Sequence, residues 1–373
     1  MRKVIMIGCD LHDKTMLLKI AEGREQPETR SVSNTATGRV AMIRDLKKRA
    51  LAAGSARIVF AYEASGQGFG LYDELTDAGI QCHVLAPTKI ARSQRQTSQK
   101  TDEKDAQQLL ELLRAHVLAG NELPTVWIPD ATTRDDRELV RMRLDVAEKI
   151  TRVKTQIQSL LKRNTIRRNQ DSGKGWTRSF RNWLQQTLCG SQASPLGSRS
   201  QATLLSLLRQ LDFLEEEVKR LDVEVFALVE EERYAAAFEE LTALCGVGLL
   251  TAVVFLTELG DLSRCTNRRQ LAAYLGLAPR SFESGDASDR KGHITRQGSS
   301  RVRKMLCQAT WSRVRWDSQE REAYRRIVAR NPKKKKIAVV ASMRRLAVRM
   351  WHRGLEFQGK PSRSKLLAAR AAG

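Results

Sequence analysis

Apolar residues fall first into short runs and later into helical spacing, and this change divides the chain. Val4-Ile-Met-Ile-Gly-Cys-Asp10 is a short apolar run, followed after the turn-like Leu11-His-Asp-Lys14 by Thr15-Met-Leu-Leu-Lys-Ile20. This predicts a hairpin with Asp10 at the end of its first strand. A third strand is expected at residues 28–33. A helix is expected at 35–52, with Val40, Ile43, Leu46 and Leu51 on one face. Arg57-Ile-Val-Phe-Ala-Tyr-Glu63 predicts the next strand, and Gly66-x-Gly68-x-Gly70 then leads into a helix near 71–78. Those glycines lack the Gly-x-Gly-x-x-Gly spacing of a dinucleotide site and read as a turn with a close backbone approach. A strand at 80–85 ends at Ala86-Pro87, and a basic linker, 89–100, precedes Lys100-Thr-Asp-Glu-Lys-Asp-Ala106. There a helix opens, with Ala106, Leu109, Leu110, Leu112 and Leu113 in an apolar pattern.

Three strands followed by helix, strand, helix, strand and helix imply an α/β domain, a mixed sheet with helices on its faces. This order looks like the RNase H fold, in which the ends of the first and fourth strands lie side by side at the sheet's centre under the last helix. From Leu139 the period changes: Leu139, Met142, Val146, Ile150, Val153, Ile157 and Leu160 keep near-heptad spacing. Leu204, Leu207, Leu211, Leu214, Val218, Leu221, Val225 and Leu228 then alternate steps of three and four. Such a seam predicts a long coiled coil, either between chains, which favours an oligomer, or as an internal antiparallel hairpin. No motif assigns a fold to the basic insertion 163–200.

The remainder is expected to be mostly α-helical. Leu244-Cys-Gly-Val-Gly-Leu-Leu-Thr-Ala252 has the cast of a helix-hairpin-helix, whose amides at a helix N-terminus bind backbone phosphate. A glycine hairpin between two core helices would look similar. Arg268 to Pro279 reads as a helix closed by Gly276, followed by the polar loop Arg280-Ser-Phe-Glu-Ser-Gly-Asp286 and a capped helix from Gly298-Ser-Ser.

Charge narrows the partners. The 373 residues carry 65 Lys and Arg against 42 Asp and Glu, a formal net charge of +23, which suits a polyanion. Between residues 330 and 373 stand thirteen basic residues, including Lys333, Lys334, Lys335 and Lys336, and one acid, Glu356. Such a block reads as a nucleic-acid surface, or else as a solvated helix face and, at 356–373, a disordered basic tail. The six cysteines stand singly, without zinc spacing, as in a reducing compartment. No run reaches a signal peptide or a membrane span, so a soluble, cytoplasmic protein is expected.

Asp102 and Asp105, three apart on the first turn of a helix, share a face. Two carboxylates there are either a dipole and capping device or half of a divalent-metal site. Asp10 and Glu63 end two strands upstream, and four converging oxygen donors would suit one or two Mg²⁺ ions holding a scissile phosphate.

The ordered set Asp10, Glu63, Lys100-Thr-Asp102-x-x-Asp105-Ala, Gly-Val-Gly-x-x-Thr-Ala, Tyr-Leu-Gly-Leu-Ala-Pro-Arg and Glu-Ser-Gly, spanning about residues 3 to 353, resembles the DEDD-type transposases of insertion sequence family one-ten. The resemblance implies a Holliday-junction-resolvase-like N-terminal domain (1–138), a coiled-coil connector (139–235) and a C-terminal transposase domain (236–355). It implies Mg²⁺ on Asp10, Glu63, Asp102 and Asp105, and a nucleophilic serine at Ser284, with Ser281 and Ser288 close by in sequence. It further implies double-stranded donor and target DNA, a bridge-type guide RNA and a bacterial, nucleoid-associated setting, while the coiled-coil seam favours a homo-oligomer, dimer or tetramer. Arg290, Lys291, Arg301 and Arg303 would neutralise phosphate. A hydrolytic structure-selective nuclease needs the four acids alone, and a nonenzymatic nucleic-acid scaffold needs only the basic surfaces.

Overall fold

The apolar runs become β1 (Val4–Leu11), β2 (Thr15–Glu22), β3 (Glu28–Ser33), β4 (Arg57–Glu63) and β5 (Gln81–Leu85), in one sheet of order β3-β2-β1-β4-β5. In this computed structural model the described residues are 3–90, 101–168, 173–189, 194–281, 291–330 and 332–360. They fall into two compact units, Met1–Ile128 and Pro129–Gly373. In the first, β1 is central, antiparallel to β2 and parallel to β4, while β4 and β5 are also parallel. Both faces of these strands are covered, which is why they read as continuous apolar runs rather than alternating ones.

The pleat sorts the residues between two cores. Ile5, Ile7 and Cys9, with Ile58, Phe60 and Tyr62, pack against α1 (Ala36–Ala52) and α2 (Gly70–Asp77). Met6, Val59 and Ala61 face the other way, onto Leu109, Leu110 and Leu113 of α3 (Asp102–Ala119). Helix α1 starts at Thr35, whose hydroxyl accepts from the Gly38 amide. Its buried face differs from the expected one: Met42, Leu46 and Ala50 are covered, whereas Val40 and Leu51 are 64% and 69% exposed. Positions 42, 46 and 50 make an i, i+4, i+8 row, and Val40 and Leu51 lie off it.

In the second unit α4 (Ala131–Arg163) and α6 (Ser198–Glu230) run antiparallel and pair within the chain. Their direction follows from the ion pairs Arg143–Asp222 at 2.6 Å and Lys154–Glu215 at 3.1 Å, in which the partner number falls as the first rises. Met142, placed on the seam by its spacing, is 44% exposed, and Val140 and Leu144 are buried in its stead. Residues 163–200 contribute α5 (Arg178–Leu188), whose Phe180, Leu184 and Leu188 close a core with Ile157, Leu160, Leu204 and Leu211.

The remaining helices are α7 (Glu232–Thr242), α8 (Leu249–Leu259), α9 (Arg268–Tyr274), α10 (Ser300–Trp316), α11 (Ser318–Arg330) and α12 (Lys335–Phe357). Helix α8 is buried at every position from Thr251 to Leu259 and forms the centre of this core. The short hairpin of β6 (Pro279–Ser281) and β7 (Lys291–Ile294) follows α9. Two glycines let the chain cross itself there. A methyl on Gly298 would lie 2.0 Å from the Tyr274 carbonyl oxygen, and one on Gly276, at φ +66°, would lie 2.7 Å from the Gln297 amide nitrogen.

Candidate active site

Gly8 determines how the acids meet. It points from the middle of β1 at α3, and a Cβ there would stand 2.3 Å from the Ala106 carbonyl oxygen and 2.4 Å from the Leu110 nitrogen. Helix and strand therefore touch backbone to backbone, which brings the first turn of α3 over the end of β1. Thr101 caps that turn, its hydroxyl accepting from the Lys104 amide, so Asp102 and Asp105 are not needed as the cap.

The pleat that turns Met6 and Gly8 toward α3 turns Asp10 the same way. Cys9 pairs with Tyr62 in the parallel register, which makes Asp10 and Glu63 the next residues along neighbouring strands, on the α3 face. Asp10 Oδ2 lies 3.0 Å from His12 Nε2, and that nitrogen lies 3.4 Å from Asp102 Oδ1. Among the described residues, Asp10, His12 and Asp102 are the set whose ligand atoms all lie within 4.8 Å of one another. Burial, chiefly, pushes the Asp10 carboxyl above its ordinary range; His12 opposes this, while the Asp105 and Asp102 carboxylates add to it. Asp105 therefore stands near enough to act on Asp10, outside the tightest set. The loops around this site are tied together, since Gln67 accepts from Asn34 Nδ2 at 3.0 Å and donates to Asp13 Oδ1 at 3.1 Å.

In the sequence His12 reads as part of a turn. The available signal was its spacing, two residues beyond Asp10 along an extended segment, which returns a side chain to the same face. Ser284 and Arg290 lie outside the described residues, as does Ser288, and the same holds for the side chains of Ser281, Lys291 and Lys334. Arg303 donates to the carbonyls of Leu275 at 3.1 Å and Gly298 at 2.6 Å, so its guanidinium holds the glycine crossing together. Arg301 pairs with Asp145 at 3.2 Å. Lys333, just before α12, and Lys335 and Lys336, in its first turn, are exposed.

A carboxylate pair with a bridging imidazole, Asp10 partly buried and His12 and Asp102 exposed, beside a further acid, is a donor set that could hold a divalent cation and present it to a phosphate. No described helix is long and apolar enough to cross a membrane. A family model described as a transposase matches residues 7–165, and a second, described as the transposase IS116/IS110/IS902 family, matches 239–325. The chain is similar to a putative transposase, y4qE, of Sinorhizobium fredii, with 30% identity over 92% of this chain and 87% of that one. It is similar also to the transposase for insertion sequence element IS1533 of Leptospira borgpetersenii, with 25% identity over 83% and 86%.

Proposed function

The chain belongs to the IS116/IS110/IS902 family of insertion-sequence transposases, and from that premise we propose that it is an RNA-guided DNA recombinase which cleaves and rejoins strands through a covalent serine–DNA ester. A transposase binds DNA and cuts and transfers its strands. The observation that supports a metal-assisted route is the meeting of Asp10 and Asp102 around His12 Nε2 at 3.0 and 3.4 Å.

The donor set fits Mg²⁺. Two carboxylates are held together, with Asp105 adding negative charge and Asp10 already pushed toward its neutral form, and a divalent cation would relieve that strain. The imidazole nitrogen of His12 adds a ligand that Mn²⁺ accepts more readily than Mg²⁺ does. Asp10 and Asp102 would hold the ion, with Glu63 and Asp105 beside them. Bound there, Mg²⁺ supplies charge neutralisation and polarisation at the scissile phosphate.

Ser284 is the nucleophile in this reading. Its oxygen forms an ester to phosphorus as the strand's P–O bond breaks, and the freed strand end leaves as a hydroxyl that takes up the proton. The ester stores the phosphodiester energy for rejoining, which hydrolysis would discard to water. Lys333 to Lys336, with Arg290, Lys291 and Arg301, contact phosphates. Arg303, whose Nη1 also holds the turn from which α10 starts, joins them. The first unit is then RNase H-like and similar to Holliday-junction resolvases, α4 and α6 form the coiled-coil connector, and the turn between α7 and α8 is the helix-hairpin-helix. The working assembly is a homo-oligomer, dimer or tetramer, with a bridge-type guide RNA and donor and target duplexes.

The experiment is to incubate the full-length protein with its element's ends, the guide RNA and Mg²⁺, and to look for DNA covalently attached to protein. The adduct should map to Ser284 and vanish in Ser284→Ala while nucleic-acid binding persists. Nicked DNA with free ends from Ser284→Ala would make the enzyme a hydrolytic nuclease, and intact DNA from the wild type would leave a binding scaffold.

A further inference from the structure

The tip where α10 ends and α11 begins exposes aromatic rings that the core leaves uncovered. Trp351 shows what a structural indole looks like in this unit: it is 5% exposed and donates its Nε1–H to the Leu262 carbonyl at 2.9 Å. Trp311 and Trp316, by contrast, are 49% and 70% exposed. Lys304, Gln308, Trp311 and Arg315 make one exposed stripe along α10 at steps of four, three and four, and Trp316 ends the helix beside it. Trp311 stands edge-on to Tyr324 of α11, with centroids 5.8 Å apart, and the Arg315 guanidinium lies 5.0 Å from the Trp316 ring centroid. Each ring is thus braced from one side and open on another.

Charge selects the occupant. From Trp311 to Lys336 the chain carries ten basic residues and three acids. Two of the acids are consumed internally: Asp317 pairs with Arg313 at 3.1 Å, and Glu320, 7% exposed, is surrounded by Arg313, Arg345 and Arg349. Arg321 turns back to donate to the Val314 carbonyl at 3.1 Å, which leaves Arg315, Arg325, Arg326 and Arg330 to the surface. A second copy of so basic a surface would be repelled, whereas a polyanion would be drawn in. Open indoles beside arginines suit a polyanion whose bases present free π-faces, and duplex DNA, with its bases stacked on one another, offers few.

We propose that the Trp311–Trp316 tip is a stacking platform for unpaired DNA nucleotides, the indoles taking bases while Arg315 and the neighbouring arginines take phosphates. The inference deepens the transposase reading, because an enzyme that cuts and transfers strands generates unpaired DNA.

The test is anisotropy of the full-length protein with fluorescent oligo-dT, a duplex of equal length and oligo-U. Base–aromatic stacking of about 1–3 kcal/mol per base corresponds to roughly 5- to 150-fold in affinity. Trp311→Ala and Trp316→Ala should each weaken oligo-dT binding at least about fivefold, with duplex affinity unchanged. Trp311→Phe and Trp316→Phe, which keep a ring, should retain most of the binding and separate lost stacking from lost folding. Unchanged oligo-dT affinity in the alanine variants overturns the inference, and if DNA cleavage persists in them the transposase reading stands without it. Loss confined to oligo-U would give the platform to RNA. A change of oligomeric state without loss of oligonucleotide binding would make the tip a subunit contact. Either result overturns the assignment to DNA.

Discussion

Gly8→Ala adds one methyl group, and the structure shows what that methyl meets. The new Cβ would lie 2.3 Å from the Ala106 carbonyl oxygen and 2.4 Å from the Leu110 nitrogen. Ordinary contact needs about 3.5 Å, so α3 must retreat from β1 by about 1 Å. Both neighbours are backbone atoms of a helix anchored by Leu109, Leu110 and Leu113 in the core, so no side chain can swing aside to absorb the change. Overpacking of this kind costs about 1–3 kcal/mol in stability. The larger effect falls on the site, since α3 carries Asp102 and β1 carries Asp10. A displacement of about 1 Å between groups that must act together costs on the order of a hundredfold in rate. Thermal melting and Mg²⁺-dependent cleavage of the element's ends, measured on the same preparation, report the two effects separately. Gly66→Ala is the control, because nothing lies within 4 Å of a Cβ there. Cleavage by Gly8→Ala at the wild-type rate would refute the argument that the crossing of α3 over β1 sets the acidic site.

Asp102→Asn should abolish cleavage while leaving DNA affinity equal or higher, since it removes a ligand and a repulsive charge together; preserved cleavage, followed on a labelled duplex, would exclude the metal site. Burial and two neighbouring carboxylates raise the Asp10 pKa, so in metal-free protein its ionised form opposes folding. That penalty is absent below the ordinary pKa of 3.8 and fully present above the raised one, so Asp10→Asn should flatten the loss of stability as pH rises through this range and raise the metal-free melting temperature at neutral pH. Ile157→Ala, at a fully buried position of the core closed by α5, should cost about 2–5 kcal/mol by denaturant melts. Replacing Lys333 to Lys336 by glutamine should reduce the slope of log affinity against log salt by up to about 3.6, and an unchanged slope would make the run a solvated face.

Much of the first unit was legible because its signals are local. Strand runs, the Pro87 break and the acids at strand ends fixed β1, β4, β5 and the start of α3 to within a residue or two. What the sequence could not weigh was three-dimensional. Met42 and Ala50 bury a face of α1 other than the one Val40 and Leu51 mark, because a weakly amphipathic helix has more than one candidate stripe. The heptad spacing of 204–228 suits a partner from either source, and only the Arg143–Asp222 and Lys154–Glu215 pairs settle that α6 lies against α4 of its own chain. Spacing could not reveal that Arg303 Nη1 donates to the carbonyls of Leu275 and Gly298. His12 was hidden because a lone histidine in a turn carries no motif, although its Nε2 lies 3.0 Å from Asp10 and 3.4 Å from Asp102.

The central claim, that Asp10, His12 and Asp102 hold the divalent ion used on DNA, is tested most directly by titrating the full-length protein with Mn²⁺ and counting bound ions by electron paramagnetic resonance. Cleavage of the element's ends is assayed in parallel. Wild type should bind Mn²⁺ at a site that Mg²⁺ competes for, and Asp10→Asn and Asp102→Asn should lose both the site and cleavage. Mn²⁺ binding and cleavage that both survive these two substitutions would contradict it.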